Sequence, residues 1–363
     1  MSFNWDFNYP SRRMPVMARQ VVATSQPLAS QAGLQMLAQG GNAIDAALAA
    51  AITLTVVEPT MNGIGSDAFC ILSDADGTLH GLNASGRSPA SWSPERFAGQ
   101  RQMPTKGWDA VTVPGCVSAW VTLSKRFGRL PFADLFQPAI GYAREGWLVP
   151  PIVAASWDKA VSAYADQPDW QEAFLRNGAA PRAGELFRFE EQARTLELIA
   201  ASEGEAFYRG ELATAIVDHA AKGGGAMTVD DLAAHKPEWV TPLQLDYRGQ
   251  SLHEIPPNGQ GITAQIALGI LRHFDLARLD PDGIQSLHLQ IEAMKLAYAD
   301  AFRYVSDPET RDIDFKMLLD DVYLQQRSEL IDPQRAIKHP SGQPGQGETV
   351  YLTAADSEGR MVS

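Results

Sequence analysis

The sequence predicts a mixed α/β protein with a sizeable buried core, on three observations. Helical patterns with marked ends alternate with short β-branched and aromatic runs. Of the 363 residues, 45% are hydrophobic and 20% charged, which excludes wholesale disorder. No internal repeat of fixed period is present, which argues against a solenoid or propeller. The length suits two domains or one large one.

Residues 26–39 are good helix formers that stop at Gly40-Gly41, where glycine accepts the left-handed conformation that ends a helix. Asn42 stands where an N-cap belongs, and Asp45 follows three residues later to meet the first-turn N–H groups of an alanine-rich helix. Phe69–Leu72 and Thr78–Leu82 are short apolar runs around Ala75-Asp76-Gly77, which predicts a hairpin. Val113-Pro114-Gly115 reads as a loop feeding a helix to about Phe127. Further helices are expected over 132–145 (kinked or split at Pro138), 190–201, 211–222, 229–234, 261–273 and 285–304. Residues 243–255 alternate as a strand pair around Arg248-Gly249. The stretch 340–347 is rich in Pro, Gly, Ser and Gln and predicts a flexible segment. A strand follows at 349–353, then an Asp356–Gly359 turn and a strand at 361–363. The sequence stops inside that strand, so a partner segment is expected to complete the core.

Composition excludes several function classes. Thirty Lys and Arg against 43 Asp and Glu give a net charge of −13, which disfavours nucleic acid and anionic membranes as partners. Cys70 and Cys116 are too few for a disulfide framework and read as buried small hydrophobes. The seven histidines are scattered, without HExxH or Cys/His ligand spacing, so neither a metal nor a cofactor is expected. Gly63-Ile64-Gly65-Ser66 lacks the third glycine of a dinucleotide loop and the Lys-Ser/Thr ending of a P-loop, and no GxSxG elbow occurs. Residues 1–20 carry an Arg pair without an apolar run behind it, and the apolar stretch 43–57 is too short to span a bilayer. A cytoplasmic location is the expectation.

Several segments then fall in one order: Ala43–Ala47, Glu58-Pro59, Gly63–Phe69, Val113–Gly115, Ala206–Gly210, Pro256–Gly261 and Glu292–Asp300. Together they resemble the large subunit of the γ-glutamyltransferase family, over nearly the whole chain from about Val21. The resemblance implies an N-terminal-nucleophile hydrolase with a four-layer αββα sandwich. It implies a precursor that cuts itself before a Thr into a large and a small subunit, forming a heterodimer or a dimer of heterodimers. Residues 1–348 would be the large-subunit region, one domain intertwined with the small subunit, and 349–363 the beginning of the small-subunit region. Aligned on the Asp356–Gly359 turn, the nucleophile corresponds to Thr349 and the cleavage site to the Glu348–Thr349 bond; Thr353 lies four residues too close to that turn. From spacing alone Thr349 reads as an ordinary strand residue after a linker. The chemistry suits the position, because a Thr hydroxyl needs a base and an N-terminal residue carries its own amine, titrating near 7.7–8.0.

Departures from the family pattern bear on substrate. Ser85 occupies the position where family members carry an Arg for the substrate carboxylate, and Arg87 is displaced by two. Residues two apart on a strand share a face, and a guanidinium fork fits a carboxylate, so Arg87 is the candidate anchor for an acidic acyl group; an ordinary ion pair is the equal alternative. Gly65–Phe69 and Pro257–Gly261 also differ from the usual glycine-rich forms, and Asp67 and Asn258 read either as pocket lining or as loop formers. These variants look like the cephalosporin acylase-like branch. Three functions stand: γ-glutamyl transfer or hydrolysis on glutathione-like amides through an acyl-Thr349 intermediate; the same chemistry on a glutaryl-type acyl amide; or an unprocessed, non-catalytic binding protein.

Overall fold

The computed structural model describes residues 17–310 and 314–344, with 354–355 and 361–362. The chain divides into two compact units, one of residues 1–68 and 84–237, the other of residues 69–83 and 238–363.

In the first unit, α1 (Pro27–Ala38) opens on Gln26, whose side chain accepts the Leu28 N–H, and Pro27 takes a first-turn position where no N–H is needed. Gly40, at φ +92°, ends it. Helix α2 (Ala43–Val57) starts with the predicted reciprocal cap: Asn42 Oδ1 accepts the Asp45 N–H at 3.1 Å and Asp45 Oδ2 accepts the Asn42 N–H at 2.8 Å. Eleven of its 15 residues are buried. Small side chains allow α1 to approach closely, since a Cβ on Gly33 would lie 2.8 Å from the Ala46 carbonyl oxygen. Asp45, fully buried, also accepts the Arg129 and Leu130 N–H groups at 3.1 and 3.3 Å, just past the end of α3 (Cys116–Phe127). Asn42 Nδ2 donates to the Phe127 carbonyl at 2.6 Å.

The predicted 132–145 helix is two pieces, a 3₁₀ turn (Phe132–Phe136) and then α4 (Gln137–Glu145), with Pro138 in the first turn of the second. Two helices that the sequence reading missed follow, α5 (Pro151–Ala163) and α6 (Pro168–Phe174). They enclose fully buried Trp157, whose ring meets Phe187 at 4.8 Å and Trp147 at 6.5 Å. Helices α7 (Glu190–Ala201), α9 (Glu211–Lys222) and α10 (Val229–Ala234) take the predicted bounds, and α8 (Glu205–Tyr208) is a single turn.

The second unit holds a three-stranded sheet in the order β1 (Ala68–Ser73), β2 (Leu79–Ala84), β3 (Glu238–Val240), with Leu82 opposite Trp239 in the antiparallel β2–β3 pair. The expected hairpin β4 (Leu243–Tyr247)–β5 (Gln250–Glu254) turns on Arg248 and Gly249, both at positive φ, as a two-residue loop matched to strand twist requires. Helix α11 (Ile262–Leu271) packs on it through Gln265, whose Nε2 donates to the carbonyls of Leu243 and Leu252 at 2.9 and 3.1 Å. Helices α12 (Ile284–Tyr304) and α13 (Asp321–Ser328) complete a core around Ile266, Ile270, Leu296 and Leu324. Leu324 would meet a Cβ on Gly269 at 2.5 Å.

One expectation is corrected. Composition predicts flexibility across 340–347, yet Pro340 and Gly342 are hydrogen-bonded to buried side chains of α12 and α13. The strand expected at 349–353 lies outside the described residues; Ala354–Ala355 pairs antiparallel with Met361–Val362. No helix among the described residues is long and apolar enough to cross a membrane.

Replacing Asp45 with Ala leaves the partly buried Asn42, Arg129 and Leu130 N–H groups without their acceptor. The expected cost is about 3 kcal/mol, from roughly 1–3 kcal/mol per stranded group with partial relaxation. A lowered urea midpoint against wild type checks it.

Candidate functional site

Three of the motif segments, far apart in sequence, meet in the first unit. The Gly63–Ser66 loop closes on itself through the Gly63 N–H and Ser66 Oγ at 3.0 Å. The Ser66 carbonyl then accepts the N–H groups of Gly115 and Cys116 at 3.1 and 2.9 Å. From α8, the Tyr208 hydroxyl donates to the Pro114 carbonyl at 2.8 Å and accepts the Ser118 N–H at 3.0 Å. The start of α3 is thus gripped from both sides.

Against this loop runs the segment carrying Arg87. Gly86 and Gly115 make the approach possible: a Cβ on Gly86 would lie 1.4 Å from the Val113 carbonyl oxygen, and one on Gly115 1.6 Å from that of Ala84. Three hydrogen bonds fix the backbone around Arg87. The Gly86 N–H donates to Asp67 Oδ1 at 3.0 Å, the Val113 N–H to the Arg87 carbonyl at 3.0 Å, and the Ala90 N–H to Asp231 Oδ1 at 2.8 Å. Asp231 is itself locked in the Thr228 capping box of α10. Strand β2 ends at Ala84, so the two-residue strand periodicity does not reach Ser85 or Arg87; the bonds to Val113 and Asp231 set the position instead.

His235, just past α10, was not singled out by the sequence. Its Nε2 lies 2.9 Å from Ser118 Oγ, and its ring stacks on Tyr208 at 5.4 Å. Ser118 Oγ donates its one proton to the Gly115 carbonyl at 2.7 Å, so it accepts from His235, which fixes the proton on Nε2. Burial, and then the charge of Arg87, lower the His235 pKa to about 4. The imidazole is neutral at pH 7 and donates to the serine; it does not activate it as a base. Burial pushes the Cys116 thiol up to about 12, with Sγ 3.2 Å from the Ile64 carbonyl, so it is no nucleophile. Asp67 is raised by partial burial, against the lowering effect of the Gly86 N–H. Cys70 is half-buried, less than the sequence suggested.

The described residues of this cluster therefore supply a rigid cradle and a cation, not a nucleophile. Glu348 and Thr349 lie outside the described residues. Asn258 belongs to the second unit, where its Oδ1 accepts from Asn83 Nδ2 at 2.8 Å. Among the described residues no group of three or more His, Cys, Asp or Glu is placed to hold a metal.

Comparison with known proteins assigns the class. A crystal structure of cephalosporin acylase from Bacillus halodurans superposes with a TM-score of 0.88 at 46% identity, over 99% of this chain and 68% of that one. The fold is that of the N-terminal-nucleophile hydrolases. Residues 29–363 match the family model for gamma-glutamyltranspeptidase, and the chain belongs to that family. The glutathione hydrolase-like YwrD proenzyme of Bacillus subtilis (strain 168) is 38% identical over 95% of this chain and 66% of its own length. The oxamate amidohydrolase proenzyme of Klebsiella pneumoniae is 36% identical over 93% and 64%. The chain thus spans about two thirds of the length of these curated relatives.

The His235 shift predicts a pH effect on stability. Between about pH 6.5 and pH 4 the unfolded chain binds a proton that the folded chain refuses, so stability falls as the pH drops through this window and levels below it. The contribution is about 2 kcal/mol after discounting for partial exposure. His235→Gln keeps a donor toward Ser118 without titrating. Urea midpoints at pH 7 and 4.5 should lie closer together in this variant than in wild type.

Proposed function

We propose that the protein is a self-processing N-terminal-Thr amidohydrolase and acyltransferase acting on γ-glutamyl amides of the glutathione type. The observation that carries this reading is the family match, whose bounds, residues 29–363, take in the Glu348–Thr349 pair. The proenzyme names of the relatives support it.

In the proposed first step the Thr349 hydroxyl attacks the Glu348 carbonyl carbon, and the peptide C–N bond gives way to an ester as the amide nitrogen becomes the Thr349 amine. Water then hydrolyses the ester, leaving the Glu348 carboxylate and a free hydroxyl beside its own base. That oxygen next attacks the substrate amide, expels the amine carrying the proton, and holds the acyl group until water or an amine accepts it. The two products remain together as a heterodimer of a large subunit ending at Glu348 and a small subunit beginning at Thr349. Arg87 pairs with the carboxylate of the acyl group, its backbone already immobilised by Val113 and Asp231, so little ordering cost falls on binding.

A second reading changes the acyl group to glutaryl or another dicarboxylic acyl. Ser85 at the usual Arg position and the 46% identity to a cephalosporin acylase favour it.

Mass spectrometry of the intact precursor should find a break between Glu348 and Thr349, and Thr349→Ala should stay whole. An uncut wild-type chain would leave the binding-protein reading standing. Relative kcat/KM on γ-glutamyl and glutaryl anilides separates the two acyl readings. Arg87→Ala should raise KM for the acidic acyl donor by about 10–100-fold, the worth of a charge-assisted hydrogen bond, and leave a neutral acyl amide nearly unaffected.

A further inference from the structure

The described residues that lead toward the Glu348–Thr349 pair are fastened to α12 by two buried carboxylates. Glu292 and Asp300 stand eight residues apart, about two helical turns, and so share one face of α12. Glu292, 1% exposed, faces His339 Nε2 at 2.7 Å and Lys295 Nζ at 2.6 Å, and the Ile337 N–H at 3.4 Å. Asp300, fully buried, receives Arg327 Nη2 at 3.0 Å and Nε at 3.1 Å, the Tyr323 hydroxyl at 2.9 Å and the Gly342 N–H at 2.6 Å. Arg327 Nη2 also reaches the Pro340 carbonyl at 2.9 Å, and the Tyr304 hydroxyl donates to the Gly342 carbonyl at 2.6 Å. A Cβ on Gly342 would lie 2.2 Å from the Tyr323 hydroxyl oxygen, so only glycine fits beneath the clamp.

Burying two carboxylates is costly unless each is fully partnered, and replacement by apolar side chains is often the more stable solution. Here the partners of both carboxylates include one short stretch of chain, 337–342, which Tyr304 and Arg327 hold as well.

We propose that Glu292 and Asp300 are positioning residues for self-cleavage: together they fix the origin of the run that delivers the Glu348–Thr349 bond to its reactive geometry. The proposal rests on the reading of Thr349 as nucleophile. From Gly342 to Thr349 is seven residues, at most about 25 Å of extended chain. The Thr349 hydroxyl and the Glu348 carbonyl are already covalent neighbours, so what fixing one end of the run restricts is where their bond can sit relative to the folded groups that must activate it. After cleavage the same clamp still holds Ile337, His339 and Gly342 to α12.

The test compares intact precursors carrying His339→Ala, His339→Gln or Gly342→Ala with wild type. The conversion of precursor to two chains is followed by mass spectrometry, and kcat and KM of the already cleaved fraction are measured on a γ-glutamyl or glutaryl anilide. His339→Ala and Gly342→Ala should slow conversion at least about 10-fold while the cleaved fraction turns over within about 2-fold of wild type. His339→Gln, which keeps a donor toward Glu292, should restore much of the rate. Conversion at the wild-type rate in both slow-expected variants overturns the inference, as does a matching loss of kcat and thermal midpoint, which marks a general folding defect. A wild-type precursor that never cuts at 348–349 removes the functional reading itself, a result separable from either.

Discussion

Two absent side chains hold the first unit's cradle together. With hydrogen in place of Cβ, Gly86 rests against the Val113 carbonyl and Gly115 against that of Ala84, distances that no other residue permits. That contact lets Val113 bond to Arg87 and brings Ser66, Pro114 and Tyr208 into one network. Everything polar in the cluster then acquires a defined partner. Asp67 caps Gly86, Asp231 caps Ala90, and Ser118 sits between Gly115 and His235. The guanidinium of Arg87 is thus carried on a backbone with almost no freedom left.

The same network decides which groups are chemically silent. A serine beside a histidine invites a nucleophilic reading, but the hydrogen-bond directions run the wrong way: the serine proton is committed to a carbonyl and the imidazole gives its proton to the serine. With its pKa at about 4, the imidazole also lacks the basicity to reverse that order near neutrality. The cleanest assignment for this pair is structural, bracing α10 against α3.

Much of the helical frame was legible because its ends are chemically marked. Gly40-Gly41, Asn42 and Asp45 wrote the α1–α2 boundary, α9 lies between Gly210 and Gly223, and α10 opens on Thr228. Helix α5 was hidden because Pro150-Pro151 reads as a break, whereas Pro151 occupies the one turn that tolerates it. Helix α13 is short and polar, and its cap, Asp320 accepting the Tyr323 N–H, carried too little pattern to stand out. The candidate residues Thr349 and Arg87 came from motif order. The network around them did not, since Ser118 pairs with His235 and Tyr208 across 117 and 90 residues. Composition misjudged 340–344 for a related reason: Pro- and Gly-rich sequence describes what a segment does alone, and Asp300 and Arg327 supply partners from elsewhere in the chain.

The burial of Cys116 bears on the redox chemistry of the molecule. A thiol pushed to about 12 and pointed at the Ile64 carbonyl holds almost no thiolate at neutral pH, and thiolate is the form that attacks disulfides. Burial also raises Cys70 above the ordinary thiol range. A protein whose proposed donors carry a thiol of their own therefore keeps the Cys116 thiol out of exchange with them. Mixed disulfides at the Ser66–Cys116 junction, which would pry α3 from the loop that seats it, are disfavoured by the same packing that formed the cradle.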